Sequence, residues 1–251
     1  RACQVLQEFF PDSSLESFSC ASLPGAVQAA GMVLHYLEET RNSAASHLQQ
    51  LQTYHVLDHM VLDDFTRRNL ELTETLNDGG RRGSLLGVLD RTVTAMGARK
   101  LRHWITHPLV DLERICSRQA AVEEFARESL LRDDLRLALD GMYDLERLNG
   151  RIAMATGNAK DLAALKVSLQ KLPQLTDLLS RAESSLLVQL CERIDLLPDM
   201  VELIERAIVE DPPFVMREGG LICDGYHAEL DELRSISREG KGWIARLEQE
   251  E

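Results

Sequence analysis

The stretch from Val61 to Val110, VLDDFTRRNLELTETLNDGGRRGSLLGVLDRTVTAMGARKLRHWITHPLV, decides how the rest of the chain is read. It holds eight Lys or Arg against six Asp or Glu, so all other residues together carry −15 toward the whole-chain −13. An Asp-Asp pair, Asp63-Asp64, opens a segment running to Leu72. A Gly-rich loop follows over 78–83, then a short apolar turn from Leu85 to Leu89. Thr94 opens a helix that must close before Pro108. Met96, Leu101, Trp104 and Ile105 fall on one broad face of that helix, with Arg99, Lys100 and Arg102 mostly off it. Gly97 in its first turn lowers helix propensity, and its presence predicts that another backbone passes close by. The block reads as a packed junction between helices.

Outward from this block the chain is a succession of short helices. Val5, Leu6, Phe9 and Phe10 make an apolar piece stopped by Pro11, and the Ser-rich stretch 12–22 reads as a connection. Pro24 suits the first position of a helix to about Thr40. There Ala26, Ala29, Ala30 and Gly31 permit close contact, and Val33, Leu34 and Leu37 supply bulk. Residues 47–60 form a helical or partly extended piece.

Beyond Pro108, Asp111 is an N-cap for a helix carrying Leu112, Ile115, Val122 and Ala126. Leu131, Leu135 and Leu139 mark the next. Asp144 opens a helix with Leu145, Leu148, Ile152 and Ala155, ended by Gly157. Asn158 and Asp161 have the spacing of a capping box, ahead of a stripe Leu162, Leu165, Leu169 and Leu172 stopped by Pro173. Leu186, Leu190 and Ile194 line another helix, and Pro198 begins one with Val201, Ile204 and Ile208. No fixed repeat period emerges.

One β signal stands out: 214–216 and Leu221-Ile222, joined through Arg217-Glu218-Gly219-Gly220, predict a short hairpin. A final helix then opens near Asp224-Gly225. Tyr226, Leu230, Leu233, Ser237, Gly240, Ile244 and Leu247 alternate by four and three along it, the spacing of a coiled-coil seam. Continuous to Glu251, it would be about 40 Å long at 1.5 Å per residue.

Composition bounds the function. The 251 residues suffice for one large or two modest domains, at 44% hydrophobic and 27% charged residues. No apolar run reaches the roughly 18 residues of a membrane span, and no signal peptide opens the chain. Cys3, Cys20, Cys116, Cys191 and Cys223 are scattered and odd in number, which reads as reduced thiols in a cytoplasmic protein. The net −13 argues against a free-standing DNA-binding module, because phosphate neutralisation needs clustered cations.

Residues 79–84 lack the Gly-Lys-Ser/Thr ending of a phosphate loop and read as an exposed loop. His55/His59 and His103/His107 have the i,i+4 spacing that can present two metal ligands. Neither pair is an HExxH motif, and surface or packing histidines are the plainer reading. Asp63-Asp64 and Asp133-Asp134 lack the third carboxylate of a magnesium motif and read as helix starts or solvated faces. Arg67, Arg68 and Asn69, with Arg99, Lys100 and Arg102, can meet either phosphate or the carboxylates of a neighbouring domain. The second reading is favoured, because few aromatic residues interleave with these charges. No catalytic, cofactor or metal residue is assigned.

The runs LDDFTRRNLELTETL and LLGVLDRTVTAMGARKLRHWITHPL resemble the core (lever) domain of the MutS family of DNA mismatch-repair proteins, with the bacterial members most similar. REGGLICDGYHAELDELR resembles that family's approach to its DNA clamp. The resemblance implies an all-α, multi-helix core (lever) domain with a short β hairpin and a long C-terminal helix leading toward a clamp. Residues 1–22 would end a connector linker, 23–224 form the core, and 225–251 enter the clamp.

The chain begins at Arg1 and stops in ARLEQEE, so a fragment is expected, with the mismatch-reading and ATPase domains before and after it. The whole protein would be a homodimer that holds mispaired duplex DNA, uses ATP and Mg, and engages a MutL-type repair partner. The fragment itself would be no enzyme and would contact no DNA, its role being mechanical coupling. Arg67, Arg68, Asn69, Gly97, Arg99 and Lys100 are its candidate interdomain residues. A helical scaffold or adaptor without DNA or nucleotide binding is the alternative.

Overall fold

The computed structural model describes residues 2–10, 23–40, 48 and 58–237. The chain divides into two compact units, one from residues 1–91 and 99–119, the other from 92–98 and 120–251. It passes from one to the other three times, once at 91–92 outside any helix and twice inside helices, α5 (Ala95–Thr106) and α6 (Leu112–Arg127).

In the first unit α1 (Ala2–Phe9) packs on α2 (Pro24–Thr40). Leu6, Phe10, Val27 and Leu34 are buried between them, with Leu48 against the cluster. Gly31 sets the spacing: a Cβ there would lie 2.8 Å from the Ala2 Cβ and 3.0 Å from its carbonyl oxygen. Of the bulky residues expected on α2, Leu34 is buried and Val33 faces out.

The same unit holds α3 (Asp64–Asn69) and α4 (Leu85–Leu89). Asp63 caps α3 by accepting the Thr66 N–H at 2.6 Å. Residues 59–63 are not helical. His59 forms an isolated antiparallel bridge with Leu109, supported by Met60 N–H to Pro108 O at 2.8 Å.

The second unit is built from α7 (Ser129–Leu139), α8 (Leu145–Ala153), α9 (Ala159–Leu169), α10 (Leu172–Leu179), α11 (Ser185–Glu192) and α12 (Pro198–Ala207). Leu135 and Ala138 of α7 bury against Leu175 and Leu178 of α10. Ala121 of α6 buries against Ala182 and Leu187. Each fully buried Leu is worth about 1.5–3 kcal/mol.

The caps fall where short-range chemistry demands. Asp111 and Asp144 accept from Arg114 and Arg147 N–H, and Asn158 and Asp161 complete a reciprocal box with both bonds at 2.9 Å. Pro198 stands at the start of α12.

Several expectations are corrected. Among the described residues there is no strand, and the hairpin over 214–222 does not form. Residues 216–218 are a single 3-10 turn (Met216–Glu218), and Gly219 and Gly220 both take positive φ, 72° and 70°. Leu221–Cys223 instead lie along the segment leaving α12. Val209 N–H donates to Leu221 O at 3.0 Å, Cys223 N–H to Ala207 O at 2.9 Å, and Ile208 bridges Ile222. Pro212 and Pro213 have no N–H to give a ladder, so the pairing skips back past them.

Pro173 does not merely stop α9. That helix ends at Leu169, and Pro173 sits in the first turn of α10, to which Leu172 belongs. On α11 the buried residue is Leu187, one place from the expected stripe, and Leu190 is exposed. On α6 Leu112 and Val122 are exposed, and the buried positions are Ala121 and Glu124. Ala155 lies beyond α8, at φ 53°. The last helix begins not at Asp224-Gly225 but at 228, and is described to 237. Cys20, His55 and the seam beyond Ser237 lie outside the described residues.

Glu124 explains how α6 and α11 are held. Its carboxylate, 6% exposed, accepts the N–H groups of Glu183 at 2.6 Å and Ser184 at 2.8 Å. Burial pushes its pKa up, but the two N–H donors and nearby Arg127 outweigh that and hold it below the ordinary 4.5. A carboxyl with a depressed folded pKa stabilises fully above its unfolded value and loses that contribution as pH falls through the folded value. Glu124→Ala leaves two buried N–H groups unpaired and should cost about 2–3 kcal/mol in urea unfolding at pH 7. The deficit relative to the native chain should shrink as pH drops below 4.5.

Candidate functional site

The junction between α3 and α4 is organised by one hydroxyl. Ser84 is fully buried; its Oγ caps α4 by accepting the Gly87 N–H at 3.1 Å and lies within reach of the carbonyls of Arg81 (2.7 Å) and Thr73 (3.1 Å). Two backbone bonds, Leu85 N–H to Glu71 O and Leu86 N–H to Leu72 O, fasten α4 to the segment after α3. Arg81 pairs with Asp90 across the turn. Close backbone approach occurs at Gly87, where a Cβ would collide with the Arg81 carbonyl oxygen.

At Gly97 the nearest atoms a Cβ would meet are Thr94 Oγ1 at 3.0 Å and Thr92 Cβ at 3.4 Å. Those belong to its own entry turn, not to a second helix as the sequence suggested. Gly97 N–H donates to Thr94 Oγ1, which starts α5 as expected.

The Gly-rich loop is closed on itself. Thr75 N–H donates to Gly80 O at 2.9 Å, and Gly80 N–H to Asp78 Oδ1 at 2.9 Å. The Thr75 hydroxyl also donates to Asp78, and these donors keep the Asp78 carboxyl below its usual range. A carboxylate therefore occupies the donor that a phosphate would need.

The predicted interdomain residues separate. Arg67 on α3 is half-buried with its Nε unpartnered, and Arg68 and Asn69 are exposed. Arg99 and Lys100 are exposed on α5. Arg102 reaches Glu74 at 3.8 Å, a tie from α5 to the segment after α3.

The histidines form a grouping that spacing alone missed. His59 comes within 6.0 Å, ring centroid to centroid, of both His103 and His107, which stack at 4.4 Å. His59 Nδ1 lies 3.0 Å from the His107 carbonyl oxygen, its acceptor when that nitrogen carries the proton. Among the described residues no group of three or more His, Cys, Asp or Glu has an arrangement suited to a metal ion. Beside the trio, the Arg118 guanidinium lies 3.8 Å over the Trp104 ring, a cation–π contact.

Burial, then His107, Lys100, His59 and Arg118, hold the His103 imidazole below its ordinary 6.5. An imidazole with a lowered folded pKa resists protonation in the native state, so stability is lost as pH falls from 6.5 through the folded value. His103→Gln removes that titration. The urea midpoint of the variant should fall less between pH 7.5 and 5.5 than that of the native chain. Equal falls would remove His103 from the account.

Comparison with known proteins agrees with this architecture. The family described as MutS domain III matches residues 65–250. The chain is 49% identical over 250 residues to the DNA mismatch repair protein MutS of Symbiobacterium thermophilum, covering all of this chain and 29% of that protein. It is 45% identical to the protein of the same name from Halothermothrix orenii over 250 residues, 28% of its length. The Myxococcus xanthus protein is 44% identical over 251 residues, again 28% of its length. The chain thus spans less than a third of the curated relatives it matches.

Proposed function

The chain belongs to the MutS domain III family, and we propose that it is the core of a DNA mismatch-repair protein, coupling the parts that grip mispaired duplex DNA to the part that hydrolyses ATP. One observation carries the reading: at two of the three points where the chain crosses between its compact units it does so inside a helix, α5 at 98–99 and α6 at 119–120, the third being the segment between α4 and α5 at 91–92. A helix resists bending, and packed helices repack between discrete arrangements instead of deforming continuously. Displacement delivered to one end of such a helix therefore arrives at the other.

In this reading 23–224 are the core, 1–22 its connector-side entry, and 225–251 the way out toward the clamp. Arg67, Arg68, Asn69 and Arg99 meet neighbouring domains. The complete protein binds ATP and Mg elsewhere, since the Gly-rich loop here spends its donors on Thr75 and Asp78. A homodimer, a MutL-type partner and a cytoplasmic setting complete the proposal. No helix among the described residues is long and apolar enough to cross a membrane.

Gly97 lies two residues before the crossing in α5. A larger side chain there must displace Thr92 and Thr94, the turn that launches the helix. Gly97→Leu in the complete protein should slow ATP-triggered release from mismatched DNA several-fold while initial binding stays near native. Stopped-flow release of labelled duplex measures both, and a native release rate would count against coupling through α5.

A further inference from the structure

The strongest unexplained feature of the first unit is a run of positive groups without acidic partners. Lys100, His103 and His107 recur at three- and four-residue steps along α5 and its end, which places them on one face. Arg114 and Arg118 do the same on α6, and Arg118 is anchored on Trp104 of α5. His59 joins from the segment bridged to Leu109.

Among the described residues, Lys100, Arg114 and Arg118 form no ion pair with a carboxylate. The charged groups acting on His103 are His107, Lys100, His59 and Arg118, and the one acting on Arg118 is Arg114. The nearest acids in sequence are Asp58, before His59, Glu113, next to Arg114 but in no ion pair with it, and Asp111, whose Oδ1 is engaged by the Arg114 N–H. In a chain of net charge −13, leaving such a cluster uncompensated costs self-repulsion. An external anion would relieve it.

We propose that the α5–α6 face carrying Lys100, His103, His107, Arg114 and Arg118 docks the phosphodiester backbone of duplex DNA. This departs from the sequence expectation that the segment touches no DNA. It takes from the repair reading only that duplex DNA is the polyanion at hand. The cations are spread along two helices instead of converging on one pocket. A strand with a charge every 3.4 Å meets several of them at once, whatever the base sequence. A carboxylate-bearing protein would have to match their spacing residue by residue.

His103 adds a second property. Its imidazole is held below its ordinary 6.5, and a bound polyanion favours its protonated form, so docking takes up a proton there and tightens as pH falls.

The test is binding of the complete protein to fully matched duplex DNA, by fluorescence anisotropy across a salt series. Each phosphate contact contributes about 0.9 to the slope of log K against log salt. Lys100→Gln/Arg114→Gln should flatten that slope by about 1.8, or roughly tenfold in affinity change between 50 and 200 mM salt. Each single variant should take half the step, which keeps the test open if the pair unfolds. Exposed Arg193 and Arg206 of the other unit, changed to Gln, should leave the slope at its native value.

His103→Gln should reduce the tightening seen between pH 7.5 and 6. Unaltered slopes in the Lys100 and Arg114 variants overturn the proposal, as does loss of binding to an acidic protein partner with DNA binding intact. Neither outcome touches the Gly97→Leu release measurement, so the coupling reading stands or falls separately.

Discussion

Every α-helix leaves its first four N–H groups without an intrahelical partner. Among the described residues the helices with defined ends are five to seventeen residues long, so those orphaned donors are a large share of the backbone. Where each is satisfied decides where each helix begins, and hence which residues face inward. Asp63, Ser84, Asp144 and Asn158 do this locally, three residues upstream of the N–H they accept. The start of α11 is different. Ser184 makes no side-chain cap, and the donors at Glu183 and Ser184 are taken by Glu124, sixty residues away on α6. A charge is buried there because it completes a backbone that its own neighbourhood leaves open.

The apolar contacts follow from that registration. The clusters are small: four residues between α1 and α2, four between α7 and α10, three joining α6 to α11 and the turn before it. Phe125 and Leu179 belong to the margins of both clusters in the second unit and weld them together. Small clusters knit by polar end-to-end bonds leave the second unit held as much by backbone partners as by apolar burial. The junction at Ser84 has the same character, with one hydroxyl serving three backbone partners in a space that admits no Cβ at position 87.

What could be read beforehand was whatever depends on near neighbours. The caps at Asp63, Asp111, Asp144 and Asn158–Asp161, and the proline start of α12, are chemistry over three or four residues, so their spacing suffices. The family resemblance rested on residues 61–110 and 217–234, and the family match spans 65–250. The failures share a cause as well. The 214–222 segment has a hairpin's composition, but its partner was chosen by two prolines and by the exposed end of α12. Pro173 punctuates equally as a stop or a start, and only the turn after Gln170 distinguishes them. The histidines were grouped by i,i+4 spacing, yet His59 meets His103 and His107 only because residues 58–60 run beside 108–110. Glu124 looked like one more surface carboxylate, since nothing within a few residues announces its partners.

The clasp between residues 207–209 and 221–223 has a consequence for everything that follows it. Its two feet are held by backbone bonds, and Arg234 closes the far side by donating to Ile222 O at 2.9 Å and to Asp224 Oδ1 at 2.7 Å. The loop between the feet, with Phe214 exposed to solvent, is thereby uncoupled from the direction in which residues 228–237 depart. Doubling such a loop costs only about 0.6 kcal/mol in closure entropy. Evolution or engineering can lengthen it, decorate it or graft a recognition peptide onto it, and the outgoing helix will still leave the body on the same bearing.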